Sequence, residues 1–430
     1  MGIAMKKHFE SLKREFLAAY PQGARLDFLR DTGIYKTGLY EFLRRMPKGA
    51  DLHAHADAIL PIREQVRFLA DHPELVVGID ADNFGQIRYA GVGMAEGFVT
   101  MKECLESGYT VDTFRRIWTI LGAAEGADRW EYFESIFTRC GTICATPSLV
   151  EDYYTRVMLY YHSIGVEHLE LRCPFFGSRE DALMRGMAFQ RALKCVREVD
   201  PLFTLRIVGC AGKNKIWDPQ FSNLIENAMY VRQMVKDVYR GNTDLLVAID
   251  IVNEEDTSYS LARYEDRIRE IVANHPGLKL TLHAGESLRG ENNEIAIALR
   301  CGIDRLGHGF NLYRYPALLK EVLEKDICIE VCPVSNVALG YCDDLSKHPA
   351  ATYRAEGIPV VICSDDAAYQ ADEPLVADYL GVTIGWDLSL DDLKALCRES
   401  IVRSFLEPAD KSLLLRAWES GWHHFENSKS

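Results

Sequence analysis

Two histidines one residue apart, His53 and His55, sit in the run Asp51-Leu52-His53-Ala54-His55-Ala56-Asp57. In an extended strand alternate side chains share a face, so both imidazoles point the same way. Such a pair is half of a metal site, or merely two spaced histidines, and its partners elsewhere decide. Three later stretches offer partners. Thr281-Leu282-His283-Ala284-Gly285-Glu286 ends an apolar run with a histidine and sets a carboxylate three residues on. A glycine at 285 permits a tight turn that swings Glu286 back over that end. Leu306-Gly307-His308-Gly309 places a histidine between glycines, where backbone and ring approach a ligand closely. Ser364-Asp365-Asp366 follows another apolar run, and adjacent carboxylates repel unless a cation or a shared proton intervenes.

His53, His55, His283 and Asp365 together give nitrogen and oxygen donors without a thiolate. That set suits one Zn2+ in an open, catalytic site where water takes the remaining position. Zinc lowers the pKa of that water to roughly 7, so hydroxide is available at neutral pH. Attack on an aromatic carbon bearing an amino group needs one proton delivered to the ring and another moved to the leaving ammonia. Glu286, His308 and Asp366 remain for that acid and base work.

Other chemistries have less support. The PCxxC signature of another class of zinc deaminases is absent, as is the GxSxG of serine hydrolases. Binuclear hydrolases on similar barrels commonly bridge two metals with a lysine at the fourth strand. Here that strand ends Asp250-Ile251-Val252-Asn253, which favours one metal, while Glu254 and Glu255 leave a second open. His162, His168 and His348 are read as surface or packing residues.

The elements that must position these residues alternate along the chain. Strands are expected at 166–172, 203–210, 245–251, 278–283, 305–308, 327–332 and 359–364, and the His53 strand makes eight. Near-continuous apolar strands separated mostly by helix-length segments indicate a parallel sheet, and eight of them a closed TIM (β/α)8 barrel. His55, Asn253, His283, His308 and Asp365-Asp366 all fall at or just past strand C-termini, the rim where catalytic residues gather in such barrels. Residues 1–45 read as an N-terminal helical segment, placed to cover the barrel floor or to mediate contacts in a homodimer. The barrel domain takes 46–430, with an insertion of short mixed elements at about 60–112.

The totals exclude several classes. With 48% hydrophobic and 26% charged residues, the chain has ample material for a core. Its net charge of −14 argues against nonspecific nucleic-acid binding. No apolar run approaches the roughly 18 residues of a membrane span. The basic residues near the start have no apolar stretch behind them, so no secretory leader is expected. The 12 cysteines are scattered without a CxxC, which fits a reducing cytoplasm better than a disulfide framework.

Met46-Pro47-Lys48-Gly49, Trp130 to Phe137, Thr281 to Glu286, Arg305 to Gly309, Val331 to Asn336 and Ser364-Asp365-Asp366 together resemble the adenosine deaminase family of the amidohydrolase superfamily. The likeness runs from about residue 46 to the end and is closest to the growth-factor-related branch, which carries MPKG before the histidine pair. It implies zinc on His53, His55, His283 and Asp365, and Glu286 as the acid that protonates the purine ring at N1. It further implies that His308 orients and deprotonates the zinc-bound water, and that Asp366 holds that water and contacts the purine. Asp57 matches the aspartate that contacts the ribose hydroxyl. One departure bears on substrate: the family's DLxGxE pattern has Asn253 in place of its glycine, which intrudes on the base pocket or adds hydrogen bonds to a differently substituted ring. Ala367 and Ala368 replace the usual proline, and residues 60–112 hold only Cys104 where secreted members carry a cysteine pair.

The expectation is a cytoplasmic, zinc-dependent aminohydrolase acting on a small purine nucleoside, adenosine or a close analogue, with no nucleic-acid or membrane partner. The alternatives are the same chemistry on a free base, nucleotide or modified purine, and a weakly active binding or signalling protein of the same fold.

Overall fold

The computed structural model describes residues 2–25, 32–90, 96–124, 126–144, 147–289 and 293–428. Eight parallel strands form one sheet in sequence order: β1 (Gly49–His55), β2 (Val166–Cys173), β3 (Thr204–Gly212), β4 (Leu246–Val252), β5 (Lys279–Ala284), β6 (Arg305–His308), β7 (Cys328–Val331) and β8 (Val360–Ile362). Just past β8, Asp365 pairs with Ala54 of β1 and so closes the ring: its N–H donates to the His53 carbonyl at 2.8 Å, and its carbonyl accepts from the His55 N–H at 3.1 Å. The fold is thus the TIM barrel that the strand pattern indicates. Its seam is stitched by the backbone of three candidate metal ligands.

Outward-facing strand residues pack on surrounding helices in one continuous apolar core that reaches from Phe9 to Phe425. Capping fixes where several of those helices begin. Ser178 and Asp181 form a reciprocal capping box for α5 (Arg179–Arg197), and Ser389 with Asp392 does so for Leu390–Arg403. The barrel interior is not apolar. His168, Glu170 and Arg172 alternate along β2, so all three share one face. Arg172 bonds Asp250 of β4 and Glu330 of β7, Arg305 of β6 bonds Glu330 and Glu170, and all five side chains are buried. Two arginines against three carboxylates leave one negative charge, directed toward the histidines at the rim.

The front of the chain is helical, with α1 (Gly2–Ala19) and α2 (Gly38–Arg45) before β1. Phe42 of α2 packs at a tilt on Phe9 and edge-on against Phe425 of the last helix (Pro408–Asn427), so this segment rests against the C-terminal helix. The Met46–Gly49 turn is anchored from both sides. The buried Lys48 ammonium donates to the carbonyls of Leu43, Met46 and Ile164, and the Trp418 and Trp422 indoles both donate to the Pro47 carbonyl. Within 60–112 a helix (Ile62–Asp71) leads into a small antiparallel sheet of 75–78, 87–89 and 98–100, then two short helices. After it come α3 (Arg129–Cys140) and α4 (Pro147–Ser163), which lead into β2. Among the described residues no helix is long and apolar enough to cross a membrane.

Candidate metal and catalytic centre

His53 and His55 end β1, His283 ends β5, and Asp365 lies just past β8. One donor atom from each of the four lies within 4.8 Å of all the others. The Nε2 atom of His283 is 3.2 Å from that of His53 and 3.3 Å from that of His55, and Asp365 Oδ1 stands 3.2 Å from His55 Nε2. A carboxylate fixes the far side of two rings: Glu330 faces His53 Nδ1 and Asp250 faces His283 Nδ1, both at 2.8 Å. Each Nδ1 therefore carries its proton toward a carboxylate, and each Nε2 presents a lone pair to the other. Two lone pairs at 3.2 Å repel unless a cation lies between them. That spacing matches the edge of a tetrahedron with metal–nitrogen bonds of 2.0–2.1 Å, about 3.3 Å. The donor set fits a small divalent ion.

The electrostatics point the same way. Burial raises the Asp365 carboxyl, but the imidazoles of His53 and His55 beside it overcome that and hold the group well below the usual carboxylate range. Burial pushes the His283 imidazole down to about 4, so the ring is a neutral donor at physiological pH.

Three further residues surround this centre. Burial, reinforced by the charges of Asp365 and Glu255, pushes Glu286 well above its ordinary range, and its Oε1 makes no hydrogen bond among the described residues. His308 Nδ1 faces that oxygen at 3.5 Å. Burial keeps His308 neutral, and neither of its ring nitrogens is hydrogen-bonded among the described residues. Asp366 is pushed up by burial and by Asp365 next to it, and its Oδ1 is also without a partner among the described residues. Two buried carboxyls shifted upward and a buried imidazole shifted downward, each with a polar atom that has no hydrogen bond among the described residues, have the makings of an acid–base set.

Three of the eight described non-glycine residues with positive φ lie at this site. His308 (φ 62°), Asp365 (φ 57°) and Asn253 (φ 90°) occupy the left-handed region that non-glycine residues rarely adopt. Such conformations cost of order 1–3 kcal/mol each and persist where the surroundings dictate them.

A cavity of about 740 Å³ opens over the centre, lined by His55, His283, Glu286, His308, Asp365 and Asp366 at one end. Trp130, Phe133 and Phe137 of α3 line it with their rings, as does Trp217. Asp57 also lines it, and Asp57 Oδ1 accepts from Arg185 of α5 at 2.6 Å and from the Tyr154 hydroxyl of α4 at 2.8 Å. Asn253 lines it as well. Its Oδ1 lies across Gly212, so close that a Cβ there would stand 2.1 Å from it and 2.6 Å from the Trp217 ring. The structure thus gathers all nine residues singled out in the sequence around the cavity or directly beneath it; His53 is the one that does not line it.

Sequence reasoning missed Asp250, Glu330 and Arg172 beneath the histidines, Arg185 beside Asp57, and the task of Glu254 and Glu255. Charged residues inside apolar strand runs were the available signal for the first three. Glu254 and Glu255 both accept backbone N–H bonds, and the donor cluster that includes His53 contains neither. His168 bonds Thr204 and Glu170 inside the barrel, and His348 bonds Asn336, away from the candidate ligands.

Known proteins resemble the chain in both sequence and fold. It is 26% identical to adenosine deaminase 2 of Dictyostelium discoideum over 412 residues, 90% of this chain and 74% of that protein. To human adenosine deaminase 2 it is 28% identical over 422 residues, 91% of this chain and 81% of the other. In fold it is similar to the N6-methyl-AMP deaminase of Arabidopsis thaliana, with a TM-score of 0.65 at 18% identity over 89% of this chain and 98% of that one. The adenosine deaminase family model matches residues 143–418, a span that contains His283, Glu286, His308, Asp365 and Asp366. The chain belongs to the adenosine deaminase family.

Proposed function

We propose that this chain is a zinc-dependent aminohydrolase that converts a purine nucleoside, adenosine or a close analogue, to its 6-oxo product and ammonia. The observation that carries this reading is a four-donor cluster set beside Glu286, a buried carboxyl whose Oε1 has no hydrogen bond among the described residues. His53, His55, His283 and Asp365 would hold one Zn2+ per chain. Zinc in such a set makes water acidic enough to attack at neutral pH, with a pKa of roughly 7.

The protein's own groups do the rest. Glu286 donates its proton to a ring nitrogen of the purine and withdraws electron density from the carbon under attack. His308, neutral and unpaired, accepts the proton of the attacking water and delivers it to the departing amine. Asp366 holds the water and contacts the purine. Asp57, steadied by Arg185 and Tyr154, takes the ribose hydroxyl. The α3 aromatics cover the base and exclude bulk water.

Asn253 favours a second reading within the same chemistry. Its side chain enters the cavity wall where the family pattern carries a glycine, which suits a free base, a nucleotide or a modified purine. We place the enzyme in the cytoplasm. Among the cysteines whose side chains are described, eleven are free and ten of those are buried, which supports a reducing compartment. The test is ammonia release over a panel of aminopurine bases, nucleosides and nucleotides. Turnover highest with a 6-aminopurine nucleoside is expected, and zinc-loaded protein that turns over none of them overturns the reading.

A further inference from the structure

Glu254 and Glu255 have no task in the chemistry above, and the structure gives them different ones. Glu254 folds back on its own loop, accepting the backbone N–H of Asp256 at 2.8 Å and of Thr257 at 2.6 Å. Glu255 reaches across to the loop after β5. Its Oε1 accepts the Gly285 N–H at 3.2 Å and its Oε2 the Glu286 N–H at 2.8 Å.

We propose that Glu255 is a positioning residue for Glu286, acting through the backbone of the acid itself. Among the described residues Glu286 Oε1 has no hydrogen bond to hold it, so its aim depends on where its peptide sits. Gly285 turns that peptide at φ 85°, a conformation open to glycine with several nearby alternatives. One buried carboxylate gripping two successive N–H groups selects a single orientation. The Asn311 N–H donating to the Gly285 carbonyl at 2.9 Å, and Ser287 to Asp256 at 2.5 Å, brace the same turn. Lys213 is a cation close enough to act on Glu286. It is fully buried, makes no Nζ hydrogen bond among the described residues, and lies 3.6 Å from Glu294 among these carboxylates. The inference rests on Glu286 being the acid.

The test compares single and double variants of the zinc-loaded enzyme. Glu255→Gln keeps the shape but turns an amide N–H2 toward one of the two backbone N–H groups. Glu255→Asp keeps the charge but is one methylene short of reaching both. Each is expected to lower kcat by about 10- to 100-fold, the scale of second-sphere losses, with KM within about threefold and with zinc content and melting temperature retained. In a Glu286→Gln background, followed at high enzyme concentration over hours, adding Glu255→Gln is expected to change the residual rate by less than about twofold, because a residue acting through Glu286 has nothing left to act on. Full kcat in either single variant overturns the proposal, as does a loss that tracks zinc loss or unfolding, or a full extra loss in the double variant. If Glu286→Gln alone is as active as the parent, the assignment of Glu286 as the acid fails. If Glu286→Gln is impaired and Glu255→Gln is not, only the positioning role fails.

Discussion

The Nε2 atoms of His53 and His283 stand 3.2 Å apart, and the Nδ1 atom of each ring faces a buried carboxylate, Glu330 for His53 and Asp250 for His283, at 2.8 Å. The two rings come from strands far apart in the chain, yet each is fixed in tautomer and orientation by a buried carboxylate that is itself paired with Arg172. Buried ions of this kind are strongly destabilising to break singly, so the arrangement persists as a unit.

Asp250→Asn is expected to weaken zinc binding by about 10- to 100-fold, the usual consequence of disturbing a ligand's outer partner. Competition with a chelator of known affinity measures it. Unchanged affinity would mean that Asp250 serves only Arg172.

Asp57→Ala separates the sugar end of the cavity from the base end. KM for a nucleoside is expected to rise about tenfold or more, as for one lost charge-assisted hydrogen bond, while turnover of the matching free base stays within about twofold. Equal effects on both substrates would contradict a ribose contact.

The wall at Asn253 gives a third expectation. Gly212→Ala places a methyl group against Asn253 Oδ1 and the Trp217 ring, and overpacking of this kind costs about 1–3 kcal/mol. Thermal melting should show that loss, and Asn253→Gly in the same chain should recover part of it. Asn253→Gly alone is expected to change the order of preference across the purine panel. An identical order would place Asn253 outside substrate contact.

Much of this was legible in the sequence because barrel strands are continuous apolar runs and their chemistry sits at one end of each. His55, His283 and His308 could be found by looking where the runs stop. The inner network was not legible. Glu170, Arg172, Asp250, Arg305 and Glu330 interrupt apolar strands, but which carboxylate meets which arginine is set by register between strands remote in sequence. The grip of Glu255 on Gly285 and Glu286 is likewise a contact between two loops, and no spacing within either loop encodes it. Asn253 was conspicuous as a residue type, whereas its left-handed backbone and its rest on Gly212 follow only from the closed barrel.

Stability carries a pH signature away from the site. Burial, with Asp200 nearby, raises Glu167 from 4.5 to about 7. The folded chain therefore holds a proton that the unfolded chain releases as pH climbs from 4.5 toward 7, and stability falls across that window. Glu167→Gln removes this slope. At pH 8 it should be more stable than the parent by about 1 kcal/mol, discounted for partial exposure, with a smaller difference at pH 5. Denaturant unfolding at the two pH values reads the change, and a difference independent of pH contradicts it.

The proposed function needs His53, His55, His283 and Asp365 to hold the ion that makes deamination possible. Its most direct test is to strip the protein with a chelator, add Zn2+ back stepwise, and follow ammonia released from adenosine or whichever aminopurine proves best. The rate should start near zero, rise in proportion to added zinc, and level off at one ion per chain, with His283→Ala flat throughout. A metal-free protein that deaminates as fast as the reconstituted one would contradict the account.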